Sequence, residues 1–125
     1  MRRILVVEND PFLQLLYEAE LSELGYRVIT ARDGQTAIQL ARRENPDLVI
    51  MDVILPDMEG GEAVYQMKRR RPRVPIVINS IPVDEMVAAS DLPIAEYVTK
   101  SSDLTELKNA VRRVLSHRLL SSTIN

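Results

Sequence analysis

The sequence predicts an α/β domain in which a five-stranded parallel sheet is covered by helices on both faces. Three observations favour this fold. Five short apolar segments alternate with segments of helical periodicity. The third segment, Leu48–Val53, is apolar except for Asp52, as expected for a strand buried on both faces. The chain has 125 residues, 46% hydrophobic and 27% charged, which suits one domain with its own core.

Each predicted strand is a short run of mostly apolar residues, often β-branched, and most of the runs lead into polar residues. In chain order, the runs are residues 4–7, 26–30, 48–53, 76–80 and 94–99. Pro46 and Pro56 lie on either side of the third run, and Pro72 and Pro75 precede the fourth. Because proline interrupts regular structure, these positions are expected to bound the strands.

The five helices are predicted from apolar residues at helical spacing and from the residues at their ends. The apolar stripes lie in residues 12–24, 37–41, 63–67, 84–89 and 104–115. Asp10 before Pro11 is typical of an N-cap followed by proline in the first turn, and Gly25 is a stop signal. Asp33 and Gly34 separate the second strand from the second helix, and the last helix is expected to begin at residues 101–103.

Composition excludes several classes of function. The chain has no cysteine and one histidine, His117, so thiol chemistry and histidine-rich metal sites are excluded. A net charge of −2 gives no general attraction to nucleic acid or to an anionic membrane. The basic residues 68–71 are expected to be a solvated helix end, since the helix dipole favours cations there.

No targeting or membrane-spanning segment is evident. Arg2 and Arg3 precede only four apolar residues, and no apolar run approaches the length of a membrane span. We therefore expect a soluble, cytoplasmic protein. One domain is assigned to residues 1–118, and residues 119–125 to a C-terminal tail that frays or begins a linker.

Polar side chains collect where four of the predicted strands end: Glu8 and Asn9, Asp52, Ser80, and Lys100. In a parallel sheet these ends share one edge, where ligands of α/β folds bind. The set suits phosphoryl transfer to a carboxylate. Asp52 is the candidate nucleophile, and Glu8 and Asn9 offer oxygen ligands to Mg²⁺. Lys100 and Ser80 are candidates to hold the remaining phosphoryl oxygens.

On the motifs VVEND, MDVILPDMEG, VINS and YVTK, the chain resembles a response-regulator receiver domain, similar to the chemotaxis regulator, from Arg3 to about Leu115. The resemblance implies a flavodoxin-like, doubly wound sheet of strand order 2-1-3-4-5 with five helices. It implies that Asp52 accepts a phosphoryl group from a histidine kinase or a phosphotransfer protein. It also implies a Mg²⁺ cofactor held by Glu8, Asn9, Asp52 and the backbone carbonyl of Ile54.

The resemblance further implies a conformational switch. Ser80 falls on the family's switch hydroxyl, Tyr97 on its switch aromatic residue and Lys100 on its lysine. The surface of the fourth helix, fifth strand and fifth helix is then expected to bind a downstream protein or an output domain. The resemblance implies a signalling domain rather than an enzyme, although such a domain assists its own phosphorylation and dephosphorylation. We expect a monomer or a weak homodimer. We expect no direct contact with nucleic acid or membrane.

Two departures from the family pattern concern the site. Asn9 lies where the family usually has an aspartate that binds the metal, so we expect weaker Mg²⁺ binding. Ile81 replaces a small residue and is expected to narrow access to Asp52. The main alternative is therefore a pseudo-receiver, a protein-binding module that acts without phosphorylation.

Two enzyme or cofactor classes are less favoured by the motifs. Phosphatases of the haloacid-dehalogenase type have a second aspartate, a general acid, two residues after the nucleophile. This chain has Ile54 at that position and so does not resemble them there. A flavin-binding protein needs a phosphate-binding loop after the first strand, where Glu8 and Asp10 would repel phosphate.

Overall fold

The computed structural model describes residues 1–81 and 92–124, with side chains described as far as residue 117. In chain order, the strands are β1 (Arg3–Val7), β2 (Arg27–Ala31), β3 (Leu48–Met51), β4 (Ile76–Ser80) and β5 (Glu96–Thr99). The helices within these ranges are α1 (Pro11–Glu23), α2 (Gly34–Glu44), α3 (Gly60–Arg70) and the C-terminal helix (Thr105–Ile124). The short helix predicted at residues 84–89 lies outside the described residues.

The five strands form one parallel sheet in the order β2-β1-β3-β4-β5, which confirms the predicted topology. Its register pairs Val7 with Met51, Met51 with Ile78, and Ser80 with Thr99. The carboxyl ends of β1, β3, β4 and β5 therefore lie side by side, and the residues that follow these strands share one edge of the sheet.

Helices cover both faces of the sheet, as the apolar strands predict. On one face, buried side chains of β1 and β3 pack with those of α1 and the C-terminal helix: Ile4, Val6, Leu48 and Ile50 from the strands, and Tyr17, Leu21, Leu107 and Val111 from the helices. On the other face, buried side chains of the strands pack with those of α2 and α3: Leu5, Val7, Val49, Met51 and Ile78 from the strands, and Ala37, Ala41, Val64 and Met67 from the helices. Successive residues of each central strand alternate between these two clusters, so the sheet is held rigidly from both sides.

The ends of several elements differ from the predicted bounds. β5 begins at Glu96 rather than at residue 94, and the C-terminal helix begins at Thr105 rather than at residues 101–103. The later helix start has a local cause, because Ser101 Oγ accepts the Asp103 N–H at 3.1 Å and Asp103 Oδ1 accepts the Thr105 N–H at 3.0 Å. Such side-chain bonds to the backbone favour a turn over a helix.

The C-terminal helix continues to Ile124, so residues 119–124 are helical where a tail that frays or begins a linker was expected. Serine and threonine cost a helix only about 0.5 kcal/mol each, which a helix already started can tolerate. The division into a domain of residues 1–118 and a tail of 119–125 falls inside this helix and stays a prediction. None of the helices in the described part of the chain is long and apolar enough to cross a membrane.

Candidate functional site

The register of the sheet brings four of the predicted site residues together. Glu8 and Asp52 directly follow the paired residues Val7 and Met51. Backbone hydrogen bonds extend the alignment past the strands: the Asp52 N–H donates to Val7 O at 3.1 Å, and the Lys100 N–H donates to Ser80 O at 2.8 Å. Glu8, Asp52 and Ser80 are all buried. Because their backbone atoms belong to the sheet or to the residue after it, their positions are set by rigid structure rather than by loops.

Lys100 bridges the two acids of the site. Its Nζ lies 2.7 Å from Glu8 Oε1 and donates a short hydrogen bond to Asp52 Oδ2. Burial by itself lowers the pKa of Lys100, but hydrogen bonds to Asp52 and Glu8 outweigh it, so the net pKa lies above the usual value. The ammonium therefore stays charged and balances one of the two buried negative charges.

The other oxygen of Asp52 has two neutral donors. Ser80 Oγ and the backbone N–H of Ile54 each donate to Asp52 Oδ1, both at 2.9 Å. Together with Lys100, these donors fix the orientation of the carboxylate. A carboxylate oriented in this way, at the edge of a sheet and still 7% exposed, is suited to act as a nucleophile.

Glu8 is held by the start of α1. Its Oε2 accepts the Asp10 N–H at 3.0 Å, and its backbone carbonyl accepts a hydrogen bond from Gln14 Nε2 at 2.6 Å. Asp10 itself is the N-cap of α1, since its Oδ1 accepts the Phe12 N–H at 2.9 Å and the Leu13 N–H at 3.3 Å. The predicted capping role is therefore confirmed, and the Asp10 carboxylate is engaged by the helix rather than by the site.

The side chains that could bind a metal ion here offer oxygen atoms and carry few negative charges. Asn9 is exposed, and its side chain makes no hydrogen bond within the described residues. No group of three or more His, Cys, Asp or Glu side chains is placed to hold a metal in residues 1–81 and 92–117. The carboxylates of Glu8 and Asp52, which both contact Lys100, are oxygen donors of the kind that Mg²⁺ prefers, and Mg²⁺ keeps several waters beside such ligands.

Tyr97 lies beside the site rather than in it. It is half-buried on β5, and its hydroxyl donates to the backbone carbonyl of Ile81 at 2.9 Å. That carbonyl belongs to the residue after Ser80, so the aromatic ring is fastened to the strand end that carries the predicted switch hydroxyl. The Ile81 side chain is 50% exposed at the rim of the site.

Two polar contacts near the site were not anticipated from the sequence. Asn79 Nδ2 donates to the Tyr17 hydroxyl at 3.2 Å within the core, and burial raises the pKa of Tyr17. Asp57, in the loop after Asp52, accepts hydrogen bonds from the first residues of α2. In the sequence, Asn79 is a polar residue after three apolar residues of β4, and Asp57 follows Pro56 in a loop. Neither feature indicates which residue forms the hydrogen bond.

A family profile and curated sequences match most of the chain. The profile described as response regulator receiver domain matches residues 4–112. The alkaline phosphatase synthesis transcriptional regulatory protein PhoP of Bacillus subtilis is 33% identical over 116 residues, which cover 91% of this chain and 48% of PhoP. The chain spans about half the length of the curated relatives it matches.

Solved structures give the same result. The response regulator TrrA from Thermotoga maritima, in complex with Mg²⁺-BeF, is 32% identical and aligns with a TM-score of 0.83 over 90% of this chain and 98% of TrrA. TrrA in complex with the histidine kinase ThkA aligns with a TM-score of 0.81 at 33% identity, over 92% and 99% of the two chains. With this topology, this cluster of strand-end residues and relatives above 30% identity over nine tenths of its length, the chain belongs to the response-regulator receiver domains of two-component signalling.

Proposed function

We propose that this chain is an active phosphoacceptor: Asp52 accepts a phosphoryl group from a histidine kinase or a phosphotransfer protein in a Mg²⁺-dependent reaction. The observation that carries the proposal is the set of donors around Asp52, with Lys100 on one oxygen and Ser80 and Ile54 on the other. These groups orient the nucleophile before the donor arrives, which removes much of the entropic barrier to transfer.

In the reaction, an Asp52 oxygen forms a bond to phosphorus while the bond from phosphorus to the donor's nitrogen or oxygen breaks, and the donor leaves with that electron pair. Lys100 then moves from the carboxylates to a phosphoryl oxygen, where its charge opposes the added negative charge. The Ser80 hydroxyl donates to another phosphoryl oxygen. Both groups already contact Asp52, so each shift is a local one.

Magnesium is the proposed cofactor, held by Glu8, Asp52, the Ile54 carbonyl and the Asn9 amide oxygen. When bound, it would neutralise charge between the carboxylate and the phosphoryl group. Glu8 and Asp52 already share the positive charge of Lys100, which indicates that the pair accommodates a cation. Asn9 supplies no charge, so we expect weaker binding than in a receiver with an aspartate at that position.

The switch follows from the same contacts. When Ser80 turns towards the phosphoryl group, it vacates space beside β5, and Tyr97 leaves the Ile81 carbonyl and turns inward. Complete switching needs about 5.5 kcal/mol of differential stabilisation, and two or three charge-assisted bonds of about 1.5–3 kcal/mol each are enough. The changed surface comprises β5, the C-terminal helix and the predicted fourth helix, and it is proposed to bind a downstream protein or an output domain.

The proposed partners are proteins. TrrA, to which this chain is similar, is seen in complex with the histidine kinase ThkA, and a kinase of that type is the partner we propose to supply phosphate. We propose no direct binding to nucleic acid or membrane, a cytoplasmic location, and a monomer or weak homodimer. Sedimentation at several protein concentrations tests the oligomeric state.

One observation favours a second candidate, the phosphorylation-independent pseudo-receiver: the exposed Asn9 leaves the site with two carboxylates among the described residues. Titration with beryllofluoride and Mg²⁺, followed by ¹⁹F NMR, separates the two candidates because beryllofluoride mimics the phosphoryl group. We expect protein-bound fluorine signals that Asp52→Asn abolishes. Absence of these signals at saturating Mg²⁺, with the protein folded, would leave the pseudo-receiver.

A further inference from the structure

Asp57, in the loop between Asp52 and α3, accepts two hydrogen bonds from the first turn of α2. Asp57 Oδ1 accepts the Gly34 N–H at 2.8 Å, and its Oδ2 accepts the Gln35 N–H at 2.9 Å. Gly34 and Gln35 are the first two residues of α2, whose amides have no acceptor within the helix itself. Both oxygens of Asp57 are thus engaged across 22–23 residues of sequence.

This contact is distinct from the ordinary N-cap of α2. Asp33, the residue before the helix, provides that cap by accepting the Thr36 N–H at 2.8 Å. Asp33 and Asp57 therefore both satisfy amides of the first turn, and both carboxylates lie at the positive end of the helix dipole. They differ in one respect: Asp33 adjoins the helix in sequence, whereas Asp57 ties the helix to the loop that follows Asp52.

Packing supports the same junction. The Met58 side chain lies against the Gly34 backbone, since a Cβ atom added at Gly34 would come within 2.6 Å of Met58 Cγ and Sδ. A side chain at position 34 would displace the Met58 side chain from this contact. The sequence pair Asp57-Met58 thus joins the loop to α2 through a polar and an apolar contact.

The loop is also closed on itself. Ile54 and Glu59 form an antiparallel bridge. A Cβ atom added at Gly60 would lie 2.6 Å from the Val53 carbonyl oxygen and 2.7 Å from its Cα, so only glycine allows this approach. The bridge and this close approach make the loop compact, with Asp57 between its two closed ends.

Ile54 is the part of the loop that touches the phosphoacceptor. Its N–H donates to Asp52 Oδ1 at 2.9 Å, and its carbonyl is the proposed backbone ligand of the metal. Its own side chain is 50% exposed, so packing of that side chain constrains the Ile54 backbone only in part. The bridge to Glu59 closes the loop on itself, and the contacts of Asp57 with α2 tie the closed loop to the rest of the domain.

We propose that Asp57 is a positioning residue for the phosphoacceptor: by fastening the loop of residues 53–59 to the first turn of α2, it holds the Ile54 backbone against Asp52. This inference rests on the proposed function, which it deepens by naming the contact that orders the site. It concerns an effect on Asp52 through Ile54, not contact with the phosphoryl group.

The test compares Asp57→Ala with Asp33→Ala, a matched control that removes the same side chain from the same helix end without touching the loop. The first readout is hydrogen exchange of the Ile54 amide, measured by NMR without any phosphodonor. In Asp57→Ala we expect exchange at Ile54 to accelerate about tenfold, because both hydrogen bonds between the loop and α2 are lost. In Asp33→Ala we expect less than about a twofold change, since the loop keeps its contact with α2.

The second readout is phosphorylation by acetyl phosphate. We expect the maximal rate to fall about tenfold in Asp57→Ala, with the half-saturating donor concentration changed less than about twofold, because orientation of the nucleophile affects the transferring step rather than donor binding. Asp57→Asn, whose amide oxygen can still accept, is expected to recover part of the rate. It also serves as the second variant if Asp57→Ala fails to fold.

The outcomes separate the two proposals. Equal effects of the Asp33 and Asp57 variants on Ile54 exchange and on the maximal rate would overturn the positioning role, while phosphorylation of the wild type would still support the proposed function. If the wild type accepts no phosphoryl group but Ile54 exchange responds only to Asp57, the proposed function is wrong and the fastening of the loop stands.

Discussion

Lys100 Nζ lies 2.7 Å from Glu8 Oε1, which joins the end of the last strand to the end of the first inside a largely buried site. The same ammonium also bonds Asp52, so one positive charge faces two negative charges. The Lys100 side chain is only 17% exposed, and water screens these charges weakly. One cation therefore bridges the two acids of the site, and the proposed Mg²⁺ would compete with it for them.

Replacing this cation should destabilise the fold and increase the response to metal. We expect Lys100→Met to lower the free energy of unfolding by about 3 kcal/mol, because two adjacent carboxylates are left without a counter-ion. We also expect Mg²⁺ to raise the melting temperature of the variant more than that of the wild type. Urea unfolding and thermal scans with and without Mg²⁺ measure both effects.

Lys108→Met is the matched control. Lys108 Nζ lies 2.7 Å from Glu20 Oε1 in an ion pair that does not involve the site. This variant should lose little stability and should keep the wild-type response to Mg²⁺. An equal Mg²⁺ response in wild type, Lys100→Met and Lys108→Met would contradict the proposed competition between ammonium and metal.

Asn9→Asp should strengthen Mg²⁺ binding. A unit charge pair about 4 Å apart at an effective dielectric constant of about 20 is worth about 4 kcal/mol before hydration costs, so we expect affinity to rise at least about tenfold. Isothermal titration with Mg²⁺ measures it. Asp10→Asn keeps the N-cap and serves as the control with unchanged affinity; no gain in Asn9→Asp would remove residue 9 from the proposed ligand set.

Tyr97→Phe removes the hydrogen bond to the Ile81 carbonyl and should loosen the resting position of the ring. One hydrogen bond contributes about 1 kcal/mol, so the population with the ring turned inward should rise about fivefold before phosphorylation. Backbone NMR chemical shifts of β5, with and without beryllofluoride, follow this population. Tyr65→Phe on the exposed side of α3 is the control. If the resting β5 shifts of Tyr97→Phe do not move towards the beryllofluoride-bound values, the hydrogen bond to Ile81 does not hold the ring in its resting position.

The ion pair between Glu96 and Arg113 should make stability depend on pH. Arg113 Nε and Nη2 donate to the two Glu96 oxygens at 2.8 and 2.6 Å, and this hydrogen bonding lowers the pKa of Glu96. The contribution is full above the unfolded-state pKa of about 4.3 and is lost as the pH falls through the lowered folded pKa. Wild type should therefore exceed Glu96→Gln in stability at neutral pH and converge with it in acid; a constant difference in urea unfolding would contradict this.

Most of the fold could be predicted from the sequence because its signals are local. The apolar run of β3, the Asp10 cap with Pro11 and the polar residue at the end of β4 each determine a feature without reference to distant residues. The start of the C-terminal helix could not be predicted, because hydrogen bonds of Ser101 and Asp103 compete with the helix there.

The residues that form the site could be predicted from the sequence, but their contacts with one another could not. Strand-end chemistry identified Glu8, Asp52, Ser80 and Lys100, which the sheet brings together. That Lys100 bridges both acids depends on its rotamer and on the depth of the site, which sequence spacing does not encode. The role of Asp57 was also missed, because its partners Gly34 and Gln35 lie in α2, 22–23 residues away in the sequence.

The intact mass of the protein after incubation with acetyl phosphate and Mg²⁺ decides whether Asp52 is the phosphoacceptor. We predict a gain of one phosphoryl group in the wild type, none in Asp52→Asn, and loss of the added mass with time once the donor is removed. A folded wild-type protein that shows no such gain at saturating Mg²⁺, or an equal gain in Asp52→Asn, would contradict this assignment.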